Sequence, residues 1–193
     1  MKIGIIDLCK QIEDPRMNRK KVHKMETIIY YIAAEWDGDS DAVQQLHKWN
    51  DSNHFSLSFT DAHDLQQSRD GSLNCSIKRS LAERLDASKT FVLIVGSNTK
   101  SVRSGSCQYC GSKNSWTGVC ARGNFVDNRS YSEYECEKAV RDGLKIVVLY
   151  NAATVDKSKC PDAVKYVGTH KAMCYYQNGQ YYWDYQTVKS ALG

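Results

Sequence analysis

Several apolar segments, separated by polar ones, have the residue patterns of β-strands. The apolar block at residues 26–36 is rich in β-branched and aromatic residues and fits a buried strand, and "HFSLSF" at residues 54–59 has the period of two that is typical of a second strand. Residues 89–96 are the clearest central strand, because their uninterrupted apolar run predicts burial on both faces. Residues 145–150 predict a further buried strand.

Helices are predicted between these strands, where apolar residues recur three or four positions apart. They cover about residues 40–50, 74–87 and 131–142. The "DGDSD" segment predicts a turn before the first helix, with Asp39 or Ser40 as its N-cap. Because strands and helices alternate, the chain is expected to form a doubly wound α/β fold with a parallel sheet.

Two segments depart from this alternation. Residues 100–130 have no sustained period and predict a long polar loop, a feature that is often functional inside a compact domain. Residues 171–185 predict a β-hairpin around Asn178-Gly179, which is a strong two-residue turn signal, and "DYQTVKSAL" predicts a short helix that closes the chain.

Composition and charge narrow the functional class. With 193 residues, 41% of them hydrophobic and 25% charged, the sequence predicts one globular domain without a membrane span or a signal peptide. Residues 1–24 hold seven Lys and Arg against three acidic residues, which accounts for the whole net charge of +4. The neutral remainder argues against a nucleic-acid-binding domain. The basic arm either contacts nucleic acid or acidic lipid or is a solvated linker, and the solvated linker is favoured.

The eight cysteines indicate the compartment. Without a signal peptide they are expected to be reduced thiols in the cytoplasm rather than a disulfide framework. Cys136 and Cys174 fit small core residues.

A Cys-containing segment lies inside the long loop. "CQYCG" places Cys107 and Cys110 in a knuckle-like turn, and Cys120 follows ten residues later. These three residues are candidate ligands of a structural zinc site, which needs a fourth ligand from Cys136, Cys160 or a histidine, and the sequence does not select which. Free thiols are favoured over this zinc site, and a redox-sensitive disulfide is the third alternative.

Three glutamates crowd the first turns of the helix at 131–142. If Cys136 and its apolar neighbours form the buried stripe, Glu135 lies beside Tyr131 on one flank, and Glu133 and Glu137 lie on the other. Acidic residues favour a helix N-terminus because of its dipole, so periodicity alone favours a solvated role for each of them.

The predicted fold brings this helix to a ligand-binding edge. Parallel sheets bind ligands beyond the carboxyl ends of their strands. The segments "AEWDGDSD", "GSNTKSVR" and the start of the helix at 131–142 are all expected to meet there.

Several blocks of the chain together resemble a known family. "TDAHDLQQSRDGSLNCSIKRSLAERLDASKTFVLIVGSNTK", "YYIAAEWDGDSD" and "YSEYECEKAVRDGLKIVVLY" resemble the TIR-like domains of bacterial anti-phage defence, including the Thoeris type. The resemblance covers about residues 26–150 and implies a flavodoxin-like or TIR-like sheet with helices on both faces. It divides the chain into a basic extension at 1–24 and a TIR-like domain at 25–193. Relatives lack the Cys-containing insertion at about 104–126, which is expected to gate the site.

The resemblance also implies an activity. NAD-consuming TIR domains begin this helix with an aromatic residue, usually Trp, and place the catalytic glutamate four residues later. Tyr131 followed by Glu135 fits that spacing, with Tyr in place of Trp, whereas Glu133 does not. The implied reaction cleaves the nicotinamide–ribose bond, with NAD as substrate rather than as a hydride carrier. In agreement, no dinucleotide-binding G-x-G-x-x-G follows the first strand.

Candidate substrate-binding residues follow from their chemistry and their place at the edge. They combine an aromatic ring for stacking with groups that bind ribose hydroxyls or phosphate: Trp36, Asp37, Asp39, Ser97, Asn98, Thr99, Arg103 and Tyr131.

The expected protein is therefore an NAD glycohydrolase or ADP-ribosyl cyclase-like enzyme. Its partners would be NAD, further copies of itself, and a downstream effector that is reached through a nucleotide signal. A non-catalytic TIR-like assembly module and a nucleotide-sensing regulator without turnover remain the alternative functions.

Overall fold

The computed structural model describes residues 28–55, 57–62 and 73–193, without the side chains of Trp36 and Asp37. The predicted basic extension at 1–24 lies outside the described residues, as does much of the polar block between the second strand and the second helix.

A parallel sheet of five strands forms the centre of the molecule. Its strands are β1 (Ile28–Ala33), β2 (Phe59–Asp61), β3 (Thr90–Val95), β4 (Lys145–Tyr150) and β5 (Thr169–Ala172), in the order β2-β1-β3-β4-β5. The chain extends from β1 to β2 on one side and to β3 on the other, so the sheet has its topological switch point between β1 and β3. The α/β fold expected from the sequence is confirmed.

Four α-helices and a β-hairpin complete the described structure. The helices are α1 (Trp36–Asn50), α2 (Asn74–Asp86), α3 (Tyr131–Arg141) and α4 (Tyr185–Leu192), and the hairpin joins β6 (Cys174–Gln177) to β7 (Gln180–Trp183). Short 3-10 turns cover Cys107–Tyr109, Lys157–Lys159 and Asp162–Val164. Within the described ranges, none of these helices combines the length and apolar character needed to cross a membrane.

Alternating residues of the strands supply two core layers, one on each face of the sheet. Phe91 and Leu93 of β3 pack in the layer that contains Leu85 of α2 and Cys136 of α3. Their neighbours Val92 and Ile94 pack in the opposite layer, which also holds side chains of α1 and α4. All six residues of β3 are buried, which confirms the predicted burial on both faces.

The predicted β-hairpin is present and turns at Asn178-Gly179. Asn178 and Gly179 both have positive φ, 51° and 79°, as a two-residue type I′ turn requires.

Two sequence predictions about elements were wrong, and one strand was not predicted. The expected turn "DGDSD" is part of the first turns of α1, which begins at Trp36 without a side-chain cap and is closed by a 2.8 Å hydrogen bond from the Asp39 amide to the Glu35 carbonyl. The strand predicted at 54–59 is instead the shorter β2, and residues 53–55 form a turn. The edge strand β5 was not predicted, because its four residues are half-exposed and lack an apolar pattern.

A buried carboxylate joins three loops at the carboxyl edge of the sheet. Asp39, at 2% exposure, accepts a 3.0 Å hydrogen bond from the side-chain amide of Asn151, which follows β4. Burial raises the pKa of Asp39, and hydrogen bonds from Asn151, Gly96 and Thr99 partly offset that effect. A Cβ atom at Gly96 would lie 2.1 Å from Oδ1 of Asp39, so only glycine leaves room for this carboxylate.

Gly96→Ala is therefore expected to displace the Asp39 carboxylate and to lower the free energy of unfolding by about 1–3 kcal/mol, the usual cost of an overpacked site. Urea denaturation measures the change. Gly111→Ala is the matched control, because a Cβ atom there meets nothing within 4 Å. It should leave stability unchanged or raise it slightly. Equal stability of the two variants would contradict the crowding at Gly96.

Candidate active site at the carboxyl edge of the sheet

A pocket of about 210 Å³ lies where the three expected segments meet. Its walls come from the loops after β1 and β3 and from the first turns of α3: Ala34, Glu35, Thr99, Val102, Ser104, Tyr131, Ser132 and Glu135. The predicted convergence of these segments is confirmed.

The Glu135 carboxylate lies at this pocket and is largely removed from water. The residue is only 7% exposed, and its Oε1 accepts a hydrogen bond from the hydroxyl of Tyr31 on β1. Burial, reinforced by the neighbouring Glu135 carboxylate, raises the pKa of Tyr31 well above its usual range, so Tyr31 remains a neutral O–H donor. A neutral donor of this kind fixes the direction of the carboxylate.

The other two glutamates of α3 are held in different ways. Glu133 forms a capping box with Ser130: the Glu133 amide donates to Oγ of Ser130 at 3.1 Å, and the Ser130 amide donates to the Glu133 carboxylate at 2.8 Å. Glu133 also pairs with Arg103 at 2.7 Å, and Glu137 pairs with Arg129 at 2.6 Å. Both therefore have structural partners near the surface.

Tyr131 forms a fixed aromatic wall of the pocket. Its hydroxyl donates to the side-chain oxygen of Asn74, at the start of α2, at 3.0 Å. Gly105 packs against its ring so closely that a Cβ atom would lie 2.3 Å from it, and the φ of +89° at Gly105 also favours glycine. Burial raises the pKa of Tyr131.

The candidates that follow β3 are not equally placed. Thr99 is buried, lines the pocket, and accepts a 2.9 Å hydrogen bond from the Gly96 amide. Ser97 and Asn98 are exposed and do not line the pocket. Arg103 is exposed and engaged with Glu133. Substrate contacts by these four residues stay predictions.

The structure describes the side chain of only one of the three substrate-binding candidates that follow β1. The side chains of Trp36 and Asp37 lie outside the described part of the structure. Asp39 does not line the pocket of Glu135, and its carboxylate is committed to the loop junction described above. A role for any of the three in binding ribose or a base stays a prediction.

The end of the inserted loop is held against α2 by hydrogen bonds and an ion pair. The buried ammonium of Lys78 donates to the carbonyls of Arg129 and Asp127, at 2.7 and 3.2 Å, and lies 3.3 Å from the Asp127 carboxylate. The Cys107 amide donates to the same Asp127 carbonyl at 3.0 Å. Away from this end the loop reaches solvent, where Trp116 is 96% exposed.

The cysteines of the loop are free thiols in this structure. Cys107 is buried, and Cys110 and Cys120 are half-buried. Within the ranges that the structure describes, no three Cys, His, Asp or Glu side chains are grouped so that they could hold a metal ion. The zinc site stays a prediction.

Two side chains with important contacts at this edge have no local signal in the sequence. Tyr31 lies in an apolar strand and its pattern is that of a core residue, so nothing local marks it as the partner of a glutamate 104 positions away. Lys78 binds carbonyls about fifty positions further along the chain. The capping box of Ser130 and Glu133, by contrast, has a local Ser-x-x-Glu signature that was available in the sequence.

Comparison with known families supports this architecture. The model of the family described as "Thoeris protein ThsB, TIR-like domain" matches residues 30–104. Over these residues, the chain is similar to the TIR-like domain of that Thoeris protein. The matched segment extends from β1 through β3 to the start of the inserted loop, so it covers less than half of the chain and ends before α3 and Glu135. None of the curated proteins matches the chain.

The contact between Lys78, Asp127 and Arg129 predicts that the stability of the protein depends on pH. Although desolvation opposes it, hydrogen bonds from Arg129 and the charges of Lys78 and Arg129 lower the pKa of Asp127 to about 2. Its unfolded pKa is ~3.9, so the stabilisation is complete above about pH 5 and disappears as the pH falls towards 2.

Asp127→Asn should therefore lose about 2 kcal/mol at neutral pH, and this difference from the native chain should shrink progressively below about pH 5. Urea denaturation at several pH values measures it. Asp51→Asn, at an exposed carboxylate without an ion pair among the described residues, is the control and should differ little from the native chain. A difference for Asp127→Asn that is independent of pH would contradict the assigned network.

Proposed function

We propose that this protein cleaves NAD at the bond between nicotinamide and ribose and so produces nicotinamide and an ADP-ribose-derived signal. The observation that carries the proposal is the Glu135 carboxylate, which is buried, oriented by Tyr31 and placed at a pocket on the carboxyl edge of the sheet. The aromatic-to-glutamate spacing of NAD-consuming TIR domains selects the same residue.

The chemistry suits a carboxylate in that position. When the bond breaks, nicotinamide leaves with the bonding electron pair as a neutral molecule, and positive charge develops on the ribose as an oxocarbenium-like centre. A preorganised carboxylate in a site with little water stabilises that charge in the transition state more than in the ground state. Water or a hydroxyl of the same molecule then attacks the ribose, which gives a linear or a cyclic product.

The size of the pocket supports a role for self-association. Its volume of about 210 Å³ is below the range of ~300–1,000 Å³ that is typical of small-molecule sites. The pocket therefore suits the nicotinamide–ribose half of the substrate, and a second copy of the chain would complete the site. In the cytoplasm, the product would reach a separate effector of anti-phage defence as a diffusible nucleotide signal.

Glu135→Gln keeps the shape of the side chain and removes its charge, so it should lower the rate of NAD cleavage at least ~100-fold without loss of the fold. Chromatography of nicotinamide released by the assembled protein measures the rate. Glu133→Gln and Glu137→Gln are the matched controls on the same helix. Gln at position 133 still completes the capping box, and position 137 loses only a surface ion pair, so both should retain nearly full activity. An active Glu135→Gln variant would exclude Glu135 as the catalytic carboxylate.

Tyr31→Phe removes only the hydroxyl that donates to Glu135. Because that donor fixes the direction of the carboxylate, its loss should lower kcat with little change in KM. Tyr30→Phe is the control, since Tyr30 donates to the Leu192 carbonyl on the opposite face of the sheet. That variant should lose about 1 kcal/mol of stability and keep its kcat. An equal kcat for the two variants would refute the positioning role of Tyr31.

A further inference from the structure

A second and larger pocket, of about 440 Å³, lies beyond the carboxyl end of β4. It is lined by the start of α1, the loop after β4 and the β6–β7 hairpin: Asp41, Asn151, Ala152, Ala153, Thr154, Cys174, Tyr181, Tyr182 and Trp183. It shares none of these residues with the Glu135 pocket. Its volume is within the range of small-molecule sites, and its place at the carboxyl edge is where α/β sheets bind ligands.

The hairpin gives this pocket an aromatic wall. Side chains alternate along a strand, so Tyr181 and Trp183 lie on one face of β7, and the strand pairing places Cys174 and Tyr176 on that same face. The Tyr181 ring packs against Tyr176 with 4.9 Å between ring centroids, and the Trp183 ring packs edge-on against the buried Trp49 at 6.5 Å. Tyr181 is nevertheless 69% exposed, so a supported aromatic face is open to a ligand.

The opposite wall provides hydrogen-bonding groups. Oδ1 of Asp41 accepts from the Ala42 amide at 2.8 Å and from the side-chain amide of Asn151 at 3.0 Å, which fixes the carboxylate. Its second oxygen, Oδ2, has no hydrogen bond or ion pair within the described part of the chain. A carboxylate fixed in this way suits the hydroxyl groups of a ribose, which donate to it.

We propose that this pocket binds a nucleoside, with the base stacked on Tyr181 and the ribose hydroxyls donating to Asp41. Stacking on an aromatic side chain accepts any base, and a carboxylate that faces a ribose is a common way to hold its hydroxyls. The nucleoside can be the distal half of the dinucleotide whose nicotinamide end is at Glu135, or part of a separate nucleotide. Both sources share the chemistry that this pocket recognises.

Asp39 connects the two pockets. Its carboxylate bonds to Asn151, which lines the nucleoside pocket, and to Thr99, which lines the Glu135 pocket. The nucleoside pocket does not depend on NAD cleavage, so binding there can be measured whether or not the proposed reaction takes place.

Calorimetric titration of the full chain with adenosine 5′-monophosphate tests the proposal. Saturable binding is expected, and Tyr181→Ala should weaken it about tenfold through the loss of stacking. Asp41→Asn keeps the acceptor for Ala42 and removes the charge, and it should also weaken binding about tenfold. Tyr166→Ala is the matched control, because Tyr166 is 79% exposed, does not line the pocket and should leave affinity unchanged.

A 2′,3′-dideoxy analogue of the nucleotide isolates the ribose contact. It should bind the native chain more weakly, and Asp41→Asn should not weaken it further. If Tyr181→Ala also raises the KM for NAD, the pocket binds the distal half of the dinucleotide. If the NAD kinetics of this variant are unchanged, the pocket binds a separate nucleotide. Absence of saturable binding at ~1 mM nucleotide, or equal binding by the Tyr181→Ala, Asp41→Asn and Tyr166→Ala proteins, would overturn the proposal.

Discussion

The Tyr31 hydroxyl donates a buried hydrogen bond to the Glu135 carboxylate, between the sheet and α3. The arrangement of residues at the carboxyl edge of the sheet depends most on this bond. A carboxylate placed among apolar side chains costs several kcal/mol unless donors compensate for the water it has lost. A displacement of α3 from β1 would break this hydrogen bond, so the bond helps to hold the helix, and Tyr131 one turn earlier, in place.

A second buried acid organises the loops around that helix. Asp39 binds groups that follow β3 and β4, and the absence of a side chain at Gly96 leaves room for it. The two buried acids have different surroundings: Asp39 is enclosed by the loops that it joins, whereas Glu135 lines a pocket. Burial of a carboxylate alone therefore does not identify a reactive group, and access to a pocket is what separates the two.

The fold could largely be predicted from the sequence, and the site only in part. The apolar run of β3 and the Asn178-Gly179 turn are local signals, and the structure has both elements. The start of α1 was misplaced, because Asp and Gly residues near its N-terminus favour a turn and only the tertiary structure extends the helix to Trp36. The spacing from Tyr131 singled out Glu135, but its partner Tyr31 lies on a distant strand, and pairings at that separation leave no local pattern.

The proposed role of the buried α3 carboxylate is the cleavage of NAD. Incubation of the assembled protein with NAD, followed by chromatographic quantification of nicotinamide and of all adenine-containing products, tests this role most directly. Nicotinamide and ADP-ribose-derived products should form in equal amounts as NAD is consumed. NAD that remains intact in the presence of the assembled protein would contradict the proposed role.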